Sequence, residues 1–255
     1  MSKQRLDTLL VDRGLAESRE KAQALVMAGQ VTIGDRPAIK PGVLVASDAS
    51  LNVAHGPKYV GRGGEKLEHA LSVFGLDVTG LVVADIGAST GGFTDCLLQN
   101  GASRVYAVDV GRGQLDYRLR RDNRVVSMEG VNARDLESLP EPIDLAVVDV
   151  SFISLRLVLP ATAALLARPV SATHASLRQS AKGEIVVLFK PQFEAERHEV
   201  PRGGVIRDAN LHSVLIGRFG AWCVGSGFRI LGMTSSPIFG AEGNREFLFW
   251  LRPVR

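Results

Sequence analysis

The chain has 255 residues, 45% of them hydrophobic and 22% charged, and its net charge is +3, from 30 Lys and Arg against 27 Asp and Glu. That length suits one large domain, or an ordinary domain with a small one beside it, and the composition excludes disordered, collagen-like and long coiled-coil chains. The balance is only mildly basic, so a nucleic-acid partner has to be met by locally placed cations.

Cys96 and Cys223 have no partner spacing. A zinc site needs about four clustered ligands, so no metal is expected, and the expected interior is reduced. The start, Met1 to Arg5, leads into a polar amphipathic stretch without the apolar core of a signal peptide. The longest apolar region, Leu145 to Ala167, is interrupted by Asp149, Arg156 and Pro160, which argues against a membrane span. The expected location is the cytoplasm.

In chain order, Leu6, Leu9 and Leu10 mark a helical face over residues 5–13 that Gly14 stops. Ser18 is placed to cap a second helix running through Ala28, with Ala22, Leu25 and Val26 on one side and Gly29 at its end. Val31–Ile33, Gly34-Asp35 and Arg36–Ile39 read as a hairpin, and Leu44-Val45 and Leu51–Val53 as further short strands. A Gly-rich stretch, His55 to Gly64, is the best boundary in the chain. The expected division is a first domain at 1–58, a linker at 59–64 and a second domain at 65–255. A helix carrying Leu67, Ala70, Leu71 and Phe74 follows.

From Leu81 onward, short apolar runs alternate with helical or loop stretches: Leu81–Ile86, Val105–Val110, Leu145–Val150 and Ile185–Phe189. Such runs suit parallel strands buried on both faces. Phe228–Met233 and Phe247–Leu251 read as closing, antiparallel strands. The fold class is α/β, a doubly wound, mostly parallel sheet with a small N-terminal α/β domain. Arg168–Lys182 is polar and Ser-rich and reads as a surface loop.

Val83 to Phe93 ends a strand and opens a helix through Asp85, Gly87, Ser89, Gly91, Gly92 and Phe93. The spacing is neither the G-x-G-x-x-G of dinucleotide binders nor a P-loop. Gly87-x-x-x-Gly91 after an acidic strand end suits S-adenosylmethionine, which has an amino-acid tail and a ribose but no pyrophosphate. The alternative is an ordinary strand-to-helix turn. Asp109 ends the next strand, where a carboxylate accepts from both ribose hydroxyls or caps a helix. Asn132 and Asp135 follow a third strand at Val125-Val126; one of them contacts adenine, or both are turn residues.

Asp149 and Lys190 end two more buried strands, the place where ligands bind in open α/β sheets. A desolvated lysine there needs a carboxylate partner; otherwise Lys190 snorkels outward and Asp149 caps a loop. Lys66 and Glu246, taken singly, read as surface charges.

The ordered stretches Tyr59–Leu67, Asp85–Phe93, Val108–Leu115, Asp149–Ser154, Lys190–Glu194 and Gly243–Phe247 resemble the TlyA family, also called hemolysin A. Residues 81–251 are similar to the wider FtsJ-like ribosomal RNA 2'-O-methyltransferases. The resemblance implies a Rossmann-like class I S-adenosylmethionine-dependent methyltransferase and a catalytic Lys-Asp-Lys-Glu set at Lys66, Asp149, Lys190 and Glu246. Residues 3–53 resemble a small RNA-binding module first seen in a small-subunit ribosomal protein, through Arg5-Leu6-Asp7, Gly14-Leu15, Ser18-Arg19, Ala22, Gly29 and Val31. One departure from the family is the long polar stretch Arg168–Glu184 in place of a short Gly-containing turn.

The resemblance implies cytidine 2'-O-methylation in 16S or 23S ribosomal RNA, or both, within ribosomal subunits. A small-molecule O-methyltransferase and a membrane-active hemolysin are the alternatives. The first module carries seven basic residues against six acidic ones over residues 3–53, so RNA affinity must come from sidedness, with Lys3, Arg5, Arg19, Lys21 and Arg62 as candidates. Lys190 is the candidate base or alkoxide stabiliser.

Overall fold

The computed structural model describes residues 2–54, 56–166, 179–180 and 183–254. The chain divides into two compact units, Met1–Lys58 and Tyr59–Arg255.

The first unit runs β1 (Lys3–Arg5), α1 (Leu6–Asp12), α2 (Arg19–Met27), β2 (Val31–Ile33), β3 (Arg36–Pro37), β4 (Leu44–Ala46) and β5 (Leu51–Val53). Leu6, Leu9 and Leu10 bury one face of α1 against Ala22 and Val26 of α2 and against Val31, Val45 and Val53. The Ser18 hydroxyl accepts from the Lys21 amide at 3.2 Å and so caps α2. β2 pairs antiparallel with both β3 and β5, and β1 pairs with β4.

The second unit runs α3 (Gly63–Phe74), β6 (Leu76–Asp77), β7 (Val82–Ile86), α4 (Gly92–Gln99), β8 (Arg104–Asp109), α5 (Tyr117–Arg120), β9 (Val125–Glu129), β10 (Leu145–Val148), α6 (Leu155–Leu165), β11 (Gln179–Ser180), β12 (Glu184–Phe189), α7 (Pro191–Glu194), α8 (Ala209–Gly225), β13 (Phe228–Ser235) and β14 (Phe247–Pro253). Seven strands form one sheet in the order β13-β14-β12-β10-β7-β8-β9. The five strands from β12 to β9 are parallel, and β14 and β13 close the sheet antiparallel. The inner strands are apolar on both faces because a core lies on each side: Leu67, Leu97, Val105 and Val186 are in one, Ile86, Leu159, Phe189 and Phe219 in the other.

The chain lays β7, β8 and β9 outward in one direction, then crosses back to place β10 on the other side of β7. This reversal opens a crevice beyond the carboxyl ends of β7 and β10, where open α/β sheets bind ligands. Residues 59–64, expected as a linker, belong to the second unit instead. Tyr59 is buried against Gly64, and Gly63 already opens α3. Most of the Ser-rich stretch 168–182 lies outside the described residues; within it, Gln179 and Ser180 pair in parallel with β6.

Candidate active site

The sheet register assembles the charged set. Phe189 of β12 pairs with Phe247 of β14, so Lys190, one residue past the end of β12, neighbours Glu246, one residue before β14. β10 pairs in parallel with β12, and Asp149 leaves β10 at the same end of the sheet. Lys190 Nζ lies 2.7 Å from Asp149 Oδ1 and donates to Ser151 Oγ at 2.8 Å. Lys66, near the start of α3, donates to Glu246 Oε2 at 2.5 Å, and both side chains are buried. All four residues line one polar cavity of about 360 Å³, with Arg62, Ser89, Ser151, Phe152 and Phe193 among the others on its wall.

Supporting bonds fix these side chains. Asn244 is fully buried; its Oδ1 accepts from Ile206 N at 2.9 Å and its Nδ2 donates to Gly204 O at 3.0 Å, which anchors the loop leading to Glu246. Glu194, in the turn after Lys190, accepts from Ser154 Oγ at 2.7 Å and from Leu155 N at 2.6 Å. Burial raises its carboxyl above the ordinary range. Glu194 thereby caps α6 from a distant part of the chain. It clips the loop that carries Asp149 and Ser151 to the turn that carries Lys190.

A second cavity of about 370 Å³ adjoins the first and shares Gly87, Ser89, Asp149, Ser151 and Phe152 with it. Its remaining wall is largely apolar, with Val108, Val110, Val131, Val150 and Ile153, plus Asp109, Gln114 and Asn132. Asp109 accepts from Ser89 N and Gly111 N, each at 2.7 Å. Its carboxylate has lone pairs beyond these two bonds. Gly87 has φ +86°, and a Cβ there would sit 2.4 Å from the Asp149 carbonyl oxygen; only glycine lets the two strand ends approach this closely.

S-adenosylmethionine fits this pair of cavities. An apolar slot with a carboxylate on its wall suits adenosine, and the polar neighbour suits a charged amino-acid tail. The volumes are at the lower end of small-molecule sites, about 300–1,000 Å³.

The cofactor candidates are not all brought together. Gly87, Ser89, Gly92, Phe93, Asp109 and Asn132 line one cavity or both. Gly91, at φ +95°, is held behind the loop against Leu115 and Leu119. Asp85 is fully buried beneath the loop and accepts from Thr94 Oγ1 at 2.6 Å, and its other oxygen has no hydrogen-bond partner among the described residues. Burial, with the nearby Asp149 and Asp109 charges adding to it, pushes its carboxyl up to about 7 against the opposing Thr94 bond. Asp135 is exposed and lines neither cavity; its amide closes a turn on the Asn132 carbonyl.

Two of the RNA candidates in the first unit also have a structural partner. Asp7 is fully buried and accepts from Arg5 Nη2 at 2.8 Å, Arg19 Nε at 3.1 Å and Gln23 Nε2 at 2.9 Å. The Arg5 bond, with the others, holds the Asp7 carboxyl well below the usual carboxylate range. Arg5 and Arg19 are therefore structural partners of Asp7 as well as half-exposed cations. Lys3 and Lys21 are exposed. Arg62 stands at the N-terminal end of α3, on the wall of the polar cavity.

Ser151, Phe152, Gln192 and Phe193 also line the polar cavity, and sequence reasoning does not single them out as site residues. Phe152 is 89% exposed with φ +64°, and its ring lies 5.0 Å from that of Phe193. A positive φ is uncommon for a bulky residue and is stored strain. The one signal in the sequence is an aromatic shortly after a strand-end Asp. No group of three His, Cys, Asp or Glu side chains suited to a metal occurs among the described residues, and no helix there is long and apolar enough to cross a membrane.

Comparison with known proteins identifies the family. Residues 59–253 match the FtsJ-like methyltransferase family, and residues 4–49 match the S4 domain. The chain is 42% identical to the 16S/23S rRNA (cytidine-2'-O)-methyltransferase TlyA of Mycobacterium tuberculosis, over 97% of this chain and 89% of that protein. It is also 42% identical to Hemolysin A of Brachyspira hyodysenteriae, over 96% of this chain and 98% of that one. A solved structure of a candidate hemolysin from Streptococcus thermophilus, 43% identical, superposes with a TM-score of 0.71 over 100% of this chain and 90% of its own. The chain belongs to the TlyA, or hemolysin A, family of FtsJ-like methyltransferases, with an S4 domain at its N-terminal end.

Proposed function

We propose that the chain transfers a methyl group from S-adenosylmethionine to a ribose 2'-hydroxyl of ribosomal RNA, on cytidine in 16S RNA, 23S RNA or both, within ribosomal subunits in the cytoplasm. The observation that carries this reading is the pairing of Lys66 with Glu246 at 2.5 Å and of Lys190 with Asp149 at 2.7 Å on one cavity wall. The name of the 42% identical Mycobacterium tuberculosis relative and the S4 match support the substrate.

When bound, S-adenosylmethionine supplies an electrophilic methyl on a sulfonium. A ribose hydroxyl is a poor nucleophile at neutral pH, so the protein must handle its proton and its developing charge. Lys190 Nζ meets that charge, and Asp149 and Ser151 hold the nitrogen in place. Lys190 takes the hydroxyl proton as a neutral amine, or stabilises the oxyanion as an ammonium while the proton passes to solvent in the open cavity; a positioned proton-transfer group contributes about 10²–10⁴-fold. Lys66, fixed by Glu246, faces the same cavity and orients the ribose. Alignment of hydroxyl and methyl supplies much of the remaining acceleration. The exposed Phe152 ring offers a stacking platform for the nucleobase.

Asp109 takes the ribose of the cofactor, Gly87 to Phe93 its tail, and Asn132 the adenine edge. Asp85 orders the glycine loop from beneath. In this reading residues 1–58 are an RNA-binding domain, with Lys3, Lys21 and the free faces of Arg5 and Arg19 meeting phosphate, and Arg62 acts at the cavity mouth. The test is incubation with labelled S-adenosylmethionine and purified small and large ribosomal subunits, followed by nucleotide mapping. Label on a cytidine 2'-oxygen is expected. Label on a base, or on no RNA, would overturn the reading.

A further inference from the structure

Five arginines fall within thirteen residues, Arg112, Arg118, Arg120, Arg121 and Arg124, against two aspartates, Asp116 and Asp122. The segment's charge of +3 equals that of the whole chain. Asp116 engages Arg118 at 3.1 Å, and Asp122 engages Arg124 at 2.7 Å. Arg112, Arg120 and Arg121 are exposed and form no ion pair among the described residues. Tyr117 is 60% exposed; Arg121 donates to its hydroxyl at 2.6 Å and lies 5.4 Å from its ring centroid. The result is a fixed aromatic and guanidinium pair on the surface.

The segment is mounted on the site. Asp116 N donates to Thr90 O at 3.1 Å, and Leu115 and Leu119 pack behind Gly91. Thr90 lines the polar cavity, and Gln114 lines the apolar one.

We propose that residues 112–124 form a second RNA-docking face, which grips the phosphate backbone beside the target nucleotide. It rests on the RNA reading given above. The cations are all arginine, whose planar fork matches phosphate oxygens, and the tyrosine adds a face for stacking. A membrane surface is less suited: an inserting face needs a broad apolar stripe, and Val110 and Tyr117 are the only large apolar side chains exposed on residues 110–124.

The test uses the full chain with Arg112→Gln, Arg120→Gln and Arg121→Gln combined. These side chains are exposed, so thermal stability and S-adenosylmethionine affinity are expected to stay at the unaltered chain's values. The salt slope of binding to purified ribosomal RNA should fall by about 2–3, roughly one for each lost phosphate contact. The KM for ribosomal subunits should rise about tenfold or more, with kcat at saturation within about twofold. An unchanged salt slope overturns the docking face even if methyl transfer is normal. Absence of methyl transfer by the unaltered chain overturns the proposed function; a reduced salt slope in the triple variant would still support the face. Loss of binding to phosphatidylserine vesicles with RNA binding intact also overturns it, in favour of a lipid partner.

Discussion

Both units hold arginine or lysine against carboxylates, and they use the pairing differently. In the first, Asp7 is sealed from solvent and two half-exposed arginines converge on it. Its carboxylate faces no reachable space, and its effect is to tie β1, α1 and α2 together. In the second, Lys66–Glu246 and Lys190–Asp149 line an open chamber. Basic and acidic partners meet in both places, and a reachable space is what separates the proposed catalytic set from the structural one. Perturbed ionisation does not make that distinction, because Asp7 is strongly shifted and has no room for a reactant.

The sharpest way to break this contrast is Lys190→Ala. Methyl transfer to ribosomal subunits should fall at least ~10³-fold, the combined scale of proton handling and charge stabilisation. Affinity for S-adenosylmethionine by calorimetry should stay within about threefold. Near-normal turnover would reduce the chamber's ion pair to structure.

Asp7→Ala comes next. It should destabilise the first unit by about 2 kcal/mol, the scale of a buried hydrogen-bonded carboxylate whose partners can reach water, and should leave cofactor affinity alone. Limited proteolysis of the full chain should then cut within residues 1–58 first. Because the Asp7 carboxyl is held low, its stabilisation is present above the ordinary carboxylate range and lost as pH falls below it. A loss of cofactor binding on this substitution would make the two hubs one system.

The smallest effect is one of slope. Asp85 sits at about 7 in the folded chain, against an ordinary value of about 4. Between those values the folded state holds a proton that the unfolded state has released. The associated stability is full at the lower pH and is lost as pH rises through about 7. Asp85→Asn should flatten this dependence in urea unfolding at pH 5 and pH 8. An unchanged slope would mean that the buried carboxyl stays charged throughout.

Much of this is legible in the sequence, for physical reasons that differ from residue to residue. The apolar residues of Leu145–Val150 and the run Ile185–Phe189 announce buried strands, so Asp149 and Lys190 can be read directly as strand-end groups. The Lys66–Glu246 pair is reached only by resemblance: its members are 180 residues apart, and only tertiary packing of α3 beside β14 brings them together. Asp135 is ambiguous because a turn and a ligand site use the same residue types. Arg5 and Arg19 are legible as exposed cations, but nothing local reveals that they also share the buried Asp7. The arginines of 112–124 escape a charge count taken over the whole chain, where their excess is diluted by acidic residues elsewhere.

The clip made by Glu194 has one more consequence. It bonds the floor under Asp149 to the floor under Lys190, which resists a change in the spacing between the two sides of the crevice. A chamber whose width resists change is poorly suited to choosing its nucleotide by opening further for one base than for another. Selection then falls to the rim, where Phe152 and its neighbours stand, and to the surfaces that deliver the strand. Relatives that modify different nucleotides should differ at that rim and keep the floor.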